Sequence, residues 1–365
     1  MALVLGAGCQ PFREASDAGQ PDRGVDDGPR DDGLRSDAPA TDLPVGTDSQ
    51  IKPCRSIPLL CLDPSPAEVI EVPTEASAAD AFDQAKAGET IQIKGASLGA
   101  GWKVPAYATL RGCQGAKIAG DIGFAGSGGV IEGFEVTASI VANLSGAYTI
   151  RFNRFSGSTT SHGVSARSVE GLVSASVTAL VEGNWFEQRP YGVEARTYYD
   201  TGTHQVDITI RNNIFTGVDQ PIEINESGLV GKIDAKIEHN TLHDFTTGIY
   251  LGGLEQKVVT SGNLLVHGTT AVAGAGNSVY EASFSALWQV DKVGISPIGA
   301  SFADADPLFV SAGAGDFRPG AGSTVVDAIP TTSPMPGEDY LGCPRPVALK
   351  GTAPLGDIGA IELQP

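Results

Sequence analysis

Between about residues 69 and 275 the chain repeats one short pattern of apolar and polar positions. Most copies have an aliphatic residue, two variable positions, Asn, one variable position and a large apolar residue. The copies are residues 131–136, 150–155, 181–186, 210–215, 237–242 and 260–265. From Asn153 to Asn263, successive Asn positions are 31, 29, 27 and 23 residues apart. Repeats of this length predict a solenoid or array rather than a closed globule.

A second apolar segment follows in each period, and in it apolar and polar residues alternate. These segments are residues 163–166, 192–195, 221–224, 248–251 and 270–273. Alternation with a period of two indicates half-buried strands, and no helical pattern separates them. Coiling such strands into a parallel β-helix pairs each backbone with the turns above and below. We expect the repeated Asn to lie at a bend, in left-handed backbone, stacked on its equivalent in the next turn.

Both ends of the repeating body carry different patterns. Residues 77–87 predict a short amphipathic helix that covers the open end of the solenoid, and residues 88–95 predict the first strand. Further turns are expected at residues 107–113 and 116–120. The sequence therefore predicts an all-β fold, with a parallel β-helix and its N-terminal cap over residues 53–300 and a capping segment over residues 301–365.

These repeats resemble the right-handed parallel β-helix proteins of the pectin-lyase-like superfamily, over most of residues 69–365. The turn-rich motifs at residues 304–309, 316–323, 326–328 and 356–362 are similar to the closing segment of the choice-of-anchor Q group of bacterial surface proteins. The resemblance implies a right-handed coil. We expect the C-terminal motifs to wrap the last turn, with Asp327 and Asp357 capping backbone N–H groups.

The first residues carry a different signal. Residues 1–9 are small and apolar and end at Cys9, which resembles the end of a bacterial lipoprotein signal with Cys9 as the lipidated residue. The missing basic segment predicts a start farther upstream, and a chance cysteine in a disordered terminus is the alternative. Residues 10–52 are expected to form a disordered acidic tether, because few large apolar residues occur there. Together these features predict an outer-membrane or surface lipoprotein of the bacterial cell envelope, or a secreted protein.

The remaining four cysteines suit an exported protein. Cys54 and Cys61 are predicted to form a local disulfide. Cys113 and Cys343 are left for a second bond that the sequence does not establish.

Composition excludes several classes of protein. The formal net charge is −19, which argues against a nucleic-acid partner, because phosphate binding needs clustered Lys and Arg. Glycine is abundant, with 47 residues, and no apolar run reaches the roughly 18 residues of a membrane span. We therefore expect a monomer that meets the membrane only through a lipid anchor.

Stacking the second strands in register predicts two outward columns of side chains. One column holds Ser165, Glu194, Glu223 and Tyr250, and the other holds Arg167, Arg196, Asn225 and Gly252. Neighbouring turns are about 4.8 Å apart, so Glu194 and Glu223 are expected to raise one pKa or share a cation, Ca²⁺ being possible.

Four residues are predicted to act in catalysis, if the protein is an enzyme: Arg196, Arg167, Glu194 and Glu223. Four more are predicted to bind substrate: Tyr198, Tyr250, His162 and Asn225. Tyr198, Tyr199 and His204 are expected to form an aromatic wall in the connection beside them. The alternative is a solvated ladder of ion pairs.

Two histidine patterns are further candidate sites. Residues 161–163, Ser-His-Gly, resemble the Gly-His-Gly motif of polygalacturonase-type hydrolases, but the other motifs of that family are not found in the repeats. His239 and His243 would be about 13 Å apart on an extended strand, so they are expected to be surface residues rather than metal ligands.

The sequence thus predicts a cell-surface protein whose elongated face binds a polysaccharide or cell-envelope glycan, with no cofactor certain. The first alternative is a uronate-polysaccharide lyase, in which Arg196 or Arg167 is the base and Glu194 and Glu223 hold Ca²⁺ or substrate. The second alternative is a structural or adhesive stalk.

Overall fold

The structure is a computed structural model. It describes residues 69–157, 159–168, 174–198, 203–226, 231–253, 256–275, 279–298, 302–346 and 354–364. The predicted lipid anchor, acidic tether and Cys54–Cys61 bond lie outside these residues.

Short strands of two to six residues build the first part of the body: β1 (Val69–Val72), β2 (Thr90–Lys94), β3 (Ser97–Leu98), β4 (Lys103–Val104), β5 (Thr109–Cys113), β6 (Lys117–Ile118), β7 (Ile122–Phe124), β8 (Gly129–Glu132), β9 (Glu135–Val136), β10 (Ile140–Ala142), β11 (Gly146–Arg151), β12 (Arg154–Phe155) and β13 (Val164–Arg167).

Longer strands build the second part: β14 (Ser174–Glu182), β15 (Trp185–Thr197), β16 (Thr203–Arg211), β17 (Ile214–Glu226), β18 (Gly231–Glu238), β19 (Thr241–Gly252), β20 (Gln256–Ser261), β21 (Leu264–Ala275), β22 (Val279–Ser283) and β23 (Ala286–Gly294). Three two-residue strands end the chain: β24 (Ala303–Asp304), β25 (Ile329–Pro330) and β26 (Leu355–Gly356). The helices are the α-helix α1 (Ala78–Gln84) and two 3₁₀ turns (Glu75–Ser77 and Ala312–Ala314).

The strands form two long parallel sheets that the chain visits in alternation. The first sheet has ten strands in the order β1-β2-β5-β8-β11-β14-β16-β18-β20-β22. The second sheet has 14 strands; its main path is β24-β23-β21-β19-β17-β15-β12-β9-β6-β3, and β4, β7, β10 and β13 pair beside that path. Each long strand pairs in parallel with the equivalent strand of the next turn. The fold is all-β, as predicted, and its long parallel sheets are consistent with a β-solenoid.

A buried ladder of Asn side chains explains the repeated phrase. From Asn153 to Asn263, the side-chain Nδ2 of each Asn donates to Oδ1 of the next Asn over 3.0–3.1 Å. The backbone N–H of each donates to the same oxygen. The predicted stacking is confirmed, but the predicted backbone is wrong: the left-handed residue is the one before each Asn, such as Asn212 and His239. Asn itself turns inward, where it satisfies buried backbone groups.

Aliphatic and aromatic residues fill the space inside the turns. Phe155, Phe186 and Phe215 stack one above the other, with ring centroids 4.5 and 4.6 Å apart. They occupy equivalent positions of consecutive turns, because β12, β15 and β17 pair in register. This is the large apolar position that ends each sequence phrase, so the periodic pattern reports the core directly.

The N-terminal helix is shorter than predicted and does not start the fold. In α1, Ala78, Ala81 and Phe82 are buried, and the Phe82 ring lies 5.0 Å from that of Trp102. A strand that the sequence reading missed, β1, precedes the helix and pairs in parallel with β2. Its four residues, Val-Ile-Glu-Val, are too few for a periodic signal.

The C-terminal segment runs back along the side of the body rather than over the last turn alone, which corrects the predicted position. The N–H of Gly359 donates to the carbonyl of Gly262, and the N–H of Ala360 donates to Oγ1 of Thr241. Asp357 caps the N–H groups of Asp327 and Leu363, as predicted for an acidic cap. Asp327 takes part through its backbone N–H, which donates to Asp357. These contacts therefore do not show the side-chain cap that was predicted for Asp327.

Buried charges hold this segment against the body. The Arg345 side chain is fully buried, and its Nη atoms donate to the carbonyls of Asp357 and Gly359 over 3.1 and 3.0 Å. Its Nε lies 3.5 Å from Oε2 of Glu362, and Nη1 contacts Nδ1 of His239. Because a buried cation is stable only when it is paired, this network fixes the path of the segment.

Two further features bear on the sequence expectations. Cys113 and Cys343 are buried, and each is disulfide-bonded. Among the described residues there is no helix long and apolar enough to span a membrane.

Candidate functional site

The second sheet brings the two predicted columns of side chains into register. Ser165 pairs with Glu194, Glu194 with Glu223, and Glu223 with Tyr250. In the second column Arg167, Arg196, Asn225 and Gly252 align in the same way. We call these residues, together with His162, Gln220, Tyr191 and Tyr198, the Glu–Arg patch.

Glu223 is the centre of the patch. Its Oε2 lies 2.9 Å from Nε2 of His162 and accepts a hydrogen bond from Nε2 of Gln220, also over 2.9 Å. Its Oε1 accepts from Nδ2 of Asn225 over 2.9 Å and from Nη2 of Arg196 over 3.1 Å. Both carboxylate oxygens are therefore fully engaged by donors.

Glu194 is held one turn below. Its Oε2 accepts a 2.6 Å hydrogen bond from the Ser165 hydroxyl, and its Oε1 lies 2.8 Å from Nε of Arg196. Arg196 thus bridges Glu194 and Glu223. Glu194 and Glu223 are only 4% and 7% exposed, so this is a buried network and not the solvated ladder of ion pairs.

The electrostatics differ from the sequence expectation. Burial by itself would raise the pKa of Glu223, but hydrogen bonds from His162 and Asn225 and the charge of Arg196 lower it to about 2. Burial opposes the charge on Arg196, yet Glu194 and Glu223 outweigh that effect and raise its pKa. The expectation that the paired carboxylates raise a pKa is wrong for Glu223, because His162 and Asn225 donate to it and Arg196 lies between it and Glu194.

Arg167 contacts Tyr198, which also interacts with Arg196. Nη1 of Arg167 donates to the hydroxyl of Tyr198 over 3.3 Å. Of the predicted aromatic wall, Tyr198 lies beside the patch and Tyr199 lies outside the described residues. The prediction is wrong for His204, which lies buried in β16 of the first sheet rather than in the connection beside the patch.

Two tyrosines border the carboxylates. The rings of His162 and Tyr191 lie 4.8 Å apart, and Tyr250 continues the column above Glu223. Gly252 leaves room for this arrangement, since a Cβ there would lie 2.9 Å from Tyr250 and 3.0 Å from Asn225. His162 was predicted only from a motif; its link to Glu223 joins residues 61 positions apart.

The four carboxylate oxygens do not fit a Ca²⁺ site between Glu194 and Glu223. Each oxygen already faces a donor, and the guanidinium of Arg196 occupies the space between the two side chains. Ca²⁺ requires six to eight oxygen ligands, whereas this cluster adds an imidazole and a competing cation. We therefore derive no step through Ca²⁺ here.

A second concave region lies where the C-terminal segment passes the second sheet, and the sequence reading missed it. The cavity measures about 610 Å³, and Arg154, Trp185, Glu187 and Tyr340 line it. Arg154 donates to Glu187 from Nε and Nη2, both over 2.9 Å, and Trp185 donates to the same carboxylate. These polar groups satisfy one another, and the cavity exists only because distant Tyr340 folds back.

His239 and His243 are buried, so the predicted surface positions are wrong for both. Burial and the charge of Arg345 hold the pKa of His239 well below its ordinary value. Burial also lowers the pKa of His243, although Asp244 opposes that shift. The C-terminal segment covers both histidines, which strand periodicity alone did not indicate.

No protein-family model matches the chain, and no curated protein is similar to it at a significant level. The function proposed below therefore rests on the residues of the patch.

Proposed function

We propose that this protein binds an extended polysaccharide along the outward face of its second sheet, at the Glu–Arg patch. One observation carries the proposal: Glu223 is fixed by four donors from three turns of the body while Arg196 joins it to Glu194. This network fixes the partly exposed side chains of Arg196 and His162 in place, and specific ligand sites require such pre-organised groups.

The repeat of the sheet suits a polymeric ligand. Equivalent side chains recur about every 4.8 Å along the stack, so a chain of sugar units can meet similar groups in succession. Tyr191 and Tyr250 border the carboxylates and offer apolar ring faces next to the polar groups.

The charges of the patch favour an acidic sugar. Arg196 already compensates the carboxylates of Glu194 and Glu223. Among the described residues, Arg167 donates to the neutral hydroxyl of Tyr198 and forms no ion pair, so we assign its positive charge to a uronate carboxylate. This assigns ligand recognition to Arg167 and support of the carboxylates to Arg196.

The proposal is tested by affinity gel electrophoresis of the full chain in gels that contain pectin, alginate or a glycosaminoglycan. We expect at least one polymer to retard the protein, and we expect Arg167→Ala and Tyr250→Leu to weaken the retardation. Arg211→Ala is the matched control, because Arg211 pairs with Glu182 over 2.8 Å on the first sheet. Equal retardation of all four proteins would contradict the proposal, and no retardation by any polymer would favour a structural or adhesive stalk.

A uronate lyase is the second candidate, and the Arg167–Tyr198 contact favours it. The base would remove the proton next to the uronate carboxylate, the electron pair left behind would form a double bond in the sugar as the glycosidic C–O bond breaks, and the departing oxygen would take up a proton. Arg196 is a poor base because its ion pairs stabilise the protonated form. The new double bond absorbs ultraviolet light, so an absorbance rise that Arg167→Ala abolishes identifies the lyase; the assay is run with Ca²⁺ and with chelator.

We also propose the finer assignments of the sequence: a right-handed β-helix related to the pectin-lyase-like superfamily, of the choice-of-anchor Q type, on a lipid-anchored surface protein. The parallel sheets and the C-terminal segment packed on the body support the first part. The apolar residues before Cys9 and the acidic residues after it support the second. Cys9→Ala in the full-length gene should release the protein into the medium, and unchanged membrane association would contradict the anchor.

A further inference from the structure

A second titratable cluster lies on β19 and β21, away from the Glu–Arg patch. Nδ1 of His243 lies 3.1 Å from Oδ2 of Asp244, and Nδ1 of His267 lies 3.6 Å from Oδ1 of the same carboxylate. One ligand atom from each of the three residues lies within 4.8 Å of the other two. The sequence did not suggest this set, because His267 lies in the turn after the one that holds His243 and Asp244.

The register of the second sheet creates the cluster. β19 and β21 pair with His243 opposite Val266 and Phe245 opposite Gly268, which places Asp244 beside His267 in consecutive turns. Both residues have left-handed backbone, with φ of 55° and 54°, and both are exposed. The carboxylate and the second imidazole therefore meet at the surface of the sheet.

His243 supplies an independent indication of a ligand. It is 7% exposed, and its ring packs against Phe317 and His267, with centroids 5.1 and 5.0 Å away. Within the described part of the chain, Nε2 of His243 is buried without a hydrogen-bond partner, and its buried Nδ1 lies 3.1 Å from Oδ2 of Asp244 without hydrogen-bond geometry. Buried polar atoms in native proteins ordinarily have a well-aligned partner, so this imidazole, beside a carboxylate and a second imidazole, needs one.

We propose that His243, Asp244 and His267 form a binding site for a divalent transition-metal ion of the Zn²⁺ class. Two imidazole nitrogens and a carboxylate oxygen are ligands that such ions prefer over Ca²⁺ or Mg²⁺. Zn²⁺ binds such atoms at about 2.0–2.2 Å, and the two imidazole nitrogens lie 3.1 and 3.6 Å from the two oxygens of one carboxylate, which gathers the three side chains around a common point.

The site has the composition of an open metal centre. Three protein ligands leave a fourth position for water or a substrate oxygen, and the exposed side of Asp244 and His267 is where that position would lie. The metal would also join β19 to β21 beneath Phe317 of the C-terminal segment, which covers His243.

The test is isothermal titration of the metal-free full chain with ZnCl₂, followed by melting curves with and without Zn²⁺. We expect Zn²⁺ to raise the melting temperature, because an ion that binds the folded state stabilises it. Loss of one ligand in Asp244→Asn or His267→Ala should weaken Zn²⁺ binding at this site at least about tenfold.

Two control variants separate this site from others in the chain. Gln289 is exposed, has the same left-handed backbone as His267, and lies in the same column two turns away from Asp244. Gln289→Ala therefore reproduces the backbone effect of His267→Ala. His162→Ala removes the imidazole of the Glu–Arg patch, which also contains a His and two carboxylates.

The proposal is supported if the melting shift persists in both controls and disappears in Asp244→Asn and His267→Ala. It is overturned if those two variants bind Zn²⁺ as the parent does, if His162→Ala removes the binding, or if the parent shows no binding. Asp244→Asn replaces one carboxylate oxygen of an exposed side chain by an amide nitrogen, so we expect this variant to fold.

Discussion

Nε2 of His162 lies 2.9 Å from Oε2 of Glu223, although the two residues are 61 positions apart in the chain. The contact spans two turns of the body, since Glu194 occupies the turn between them. It adds an imidazole to a column that otherwise holds Ser165, Glu194 and Tyr250. This contact, together with Arg196, sets the charge state of the patch.

Glu223 should make stability depend on acidity. Its pKa falls from an ordinary 4.5 to about 2 in the folded chain, so folding favours its ionised form. The contribution is present above pH about 4.5 and is lost as the pH falls toward 2; its upper bound is about 3 kcal/mol. We expect Glu223→Gln to be less stable than the parent at pH 7 by up to that amount, and the difference to shrink between pH 4.5 and 2. Urea unfolding of both proteins measures it, and a pH-independent difference would contradict the assignment.

His239 should also make the protein less stable in acid, beginning at a higher pH than Glu223 does. Its pKa is held well below 6.5 in the folded state, so only the unfolded chain takes up this proton as the pH falls through 6.5. Stability is therefore lost below pH about 6.5, by about 1.4 kcal/mol per pH unit for one such group. His239→Gln should reduce the slope of the free energy of unfolding between pH 6.5 and 5. An unchanged slope in denaturant titrations would count against a neutral His239.

Arg345 should be the strongest single contact of the C-terminal segment. Arg345→Met leaves the acidic groups and carbonyls around it unpaired, so we expect a loss of about 3–5 kcal/mol in the free energy of unfolding. Lys117→Met is the control, because Lys117 and Glu135 form an ion pair 3.1 Å long with both side chains more than half exposed. It should change stability by less than about 1 kcal/mol. Similar losses in the two variants, measured by urea unfolding, would disprove the structural role of Arg345.

The Asn ladder should be nearly intolerant of change. Asn213→Ala removes donors to two backbone carbonyls and to Asn240, and leaves the N–H of Asn184 without an acceptor. Because each buried unsatisfied group costs about 1–3 kcal/mol, we expect a loss of at least about 3 kcal/mol. Asn225→Ala, on the outward face, should lose about 1 kcal/mol. Thermal melts compare the pair, and equal melting temperatures would contradict the ladder.

The sequence predicted the parts of the fold that repeat. The Asn position recurs in each turn, so the stacking of the Asn side chains and the register of Glu194 with Glu223 followed from the period alone. The periods also gave the alignment of Arg167 with Arg196.

Contacts across the repeat could not be predicted in the same way. The coverage of His239 by Arg345 and of His243 by Phe317 depends on where a non-repeating segment returns, and no period encodes that path. The pKa of Glu223 depends on His162, which lies in the connection just before β13, two turns away from Glu223. Burial and charge at the site therefore required the three-dimensional arrangement.

The central claim is that Glu223 and its neighbours form a polysaccharide-binding patch. Isothermal titration of the retained polysaccharide into the parent, Glu223→Gln and Glu182→Gln tests it most directly, because Glu182 pairs with Arg211 on the other sheet and serves as the matched control. Gln cannot hold Arg196 and His162 in place as the carboxylate does, so we expect the Kd of Glu223→Gln to rise at least about tenfold and that of Glu182→Gln to stay unchanged. Equal Kd values for the parent and Glu223→Gln would contradict the account.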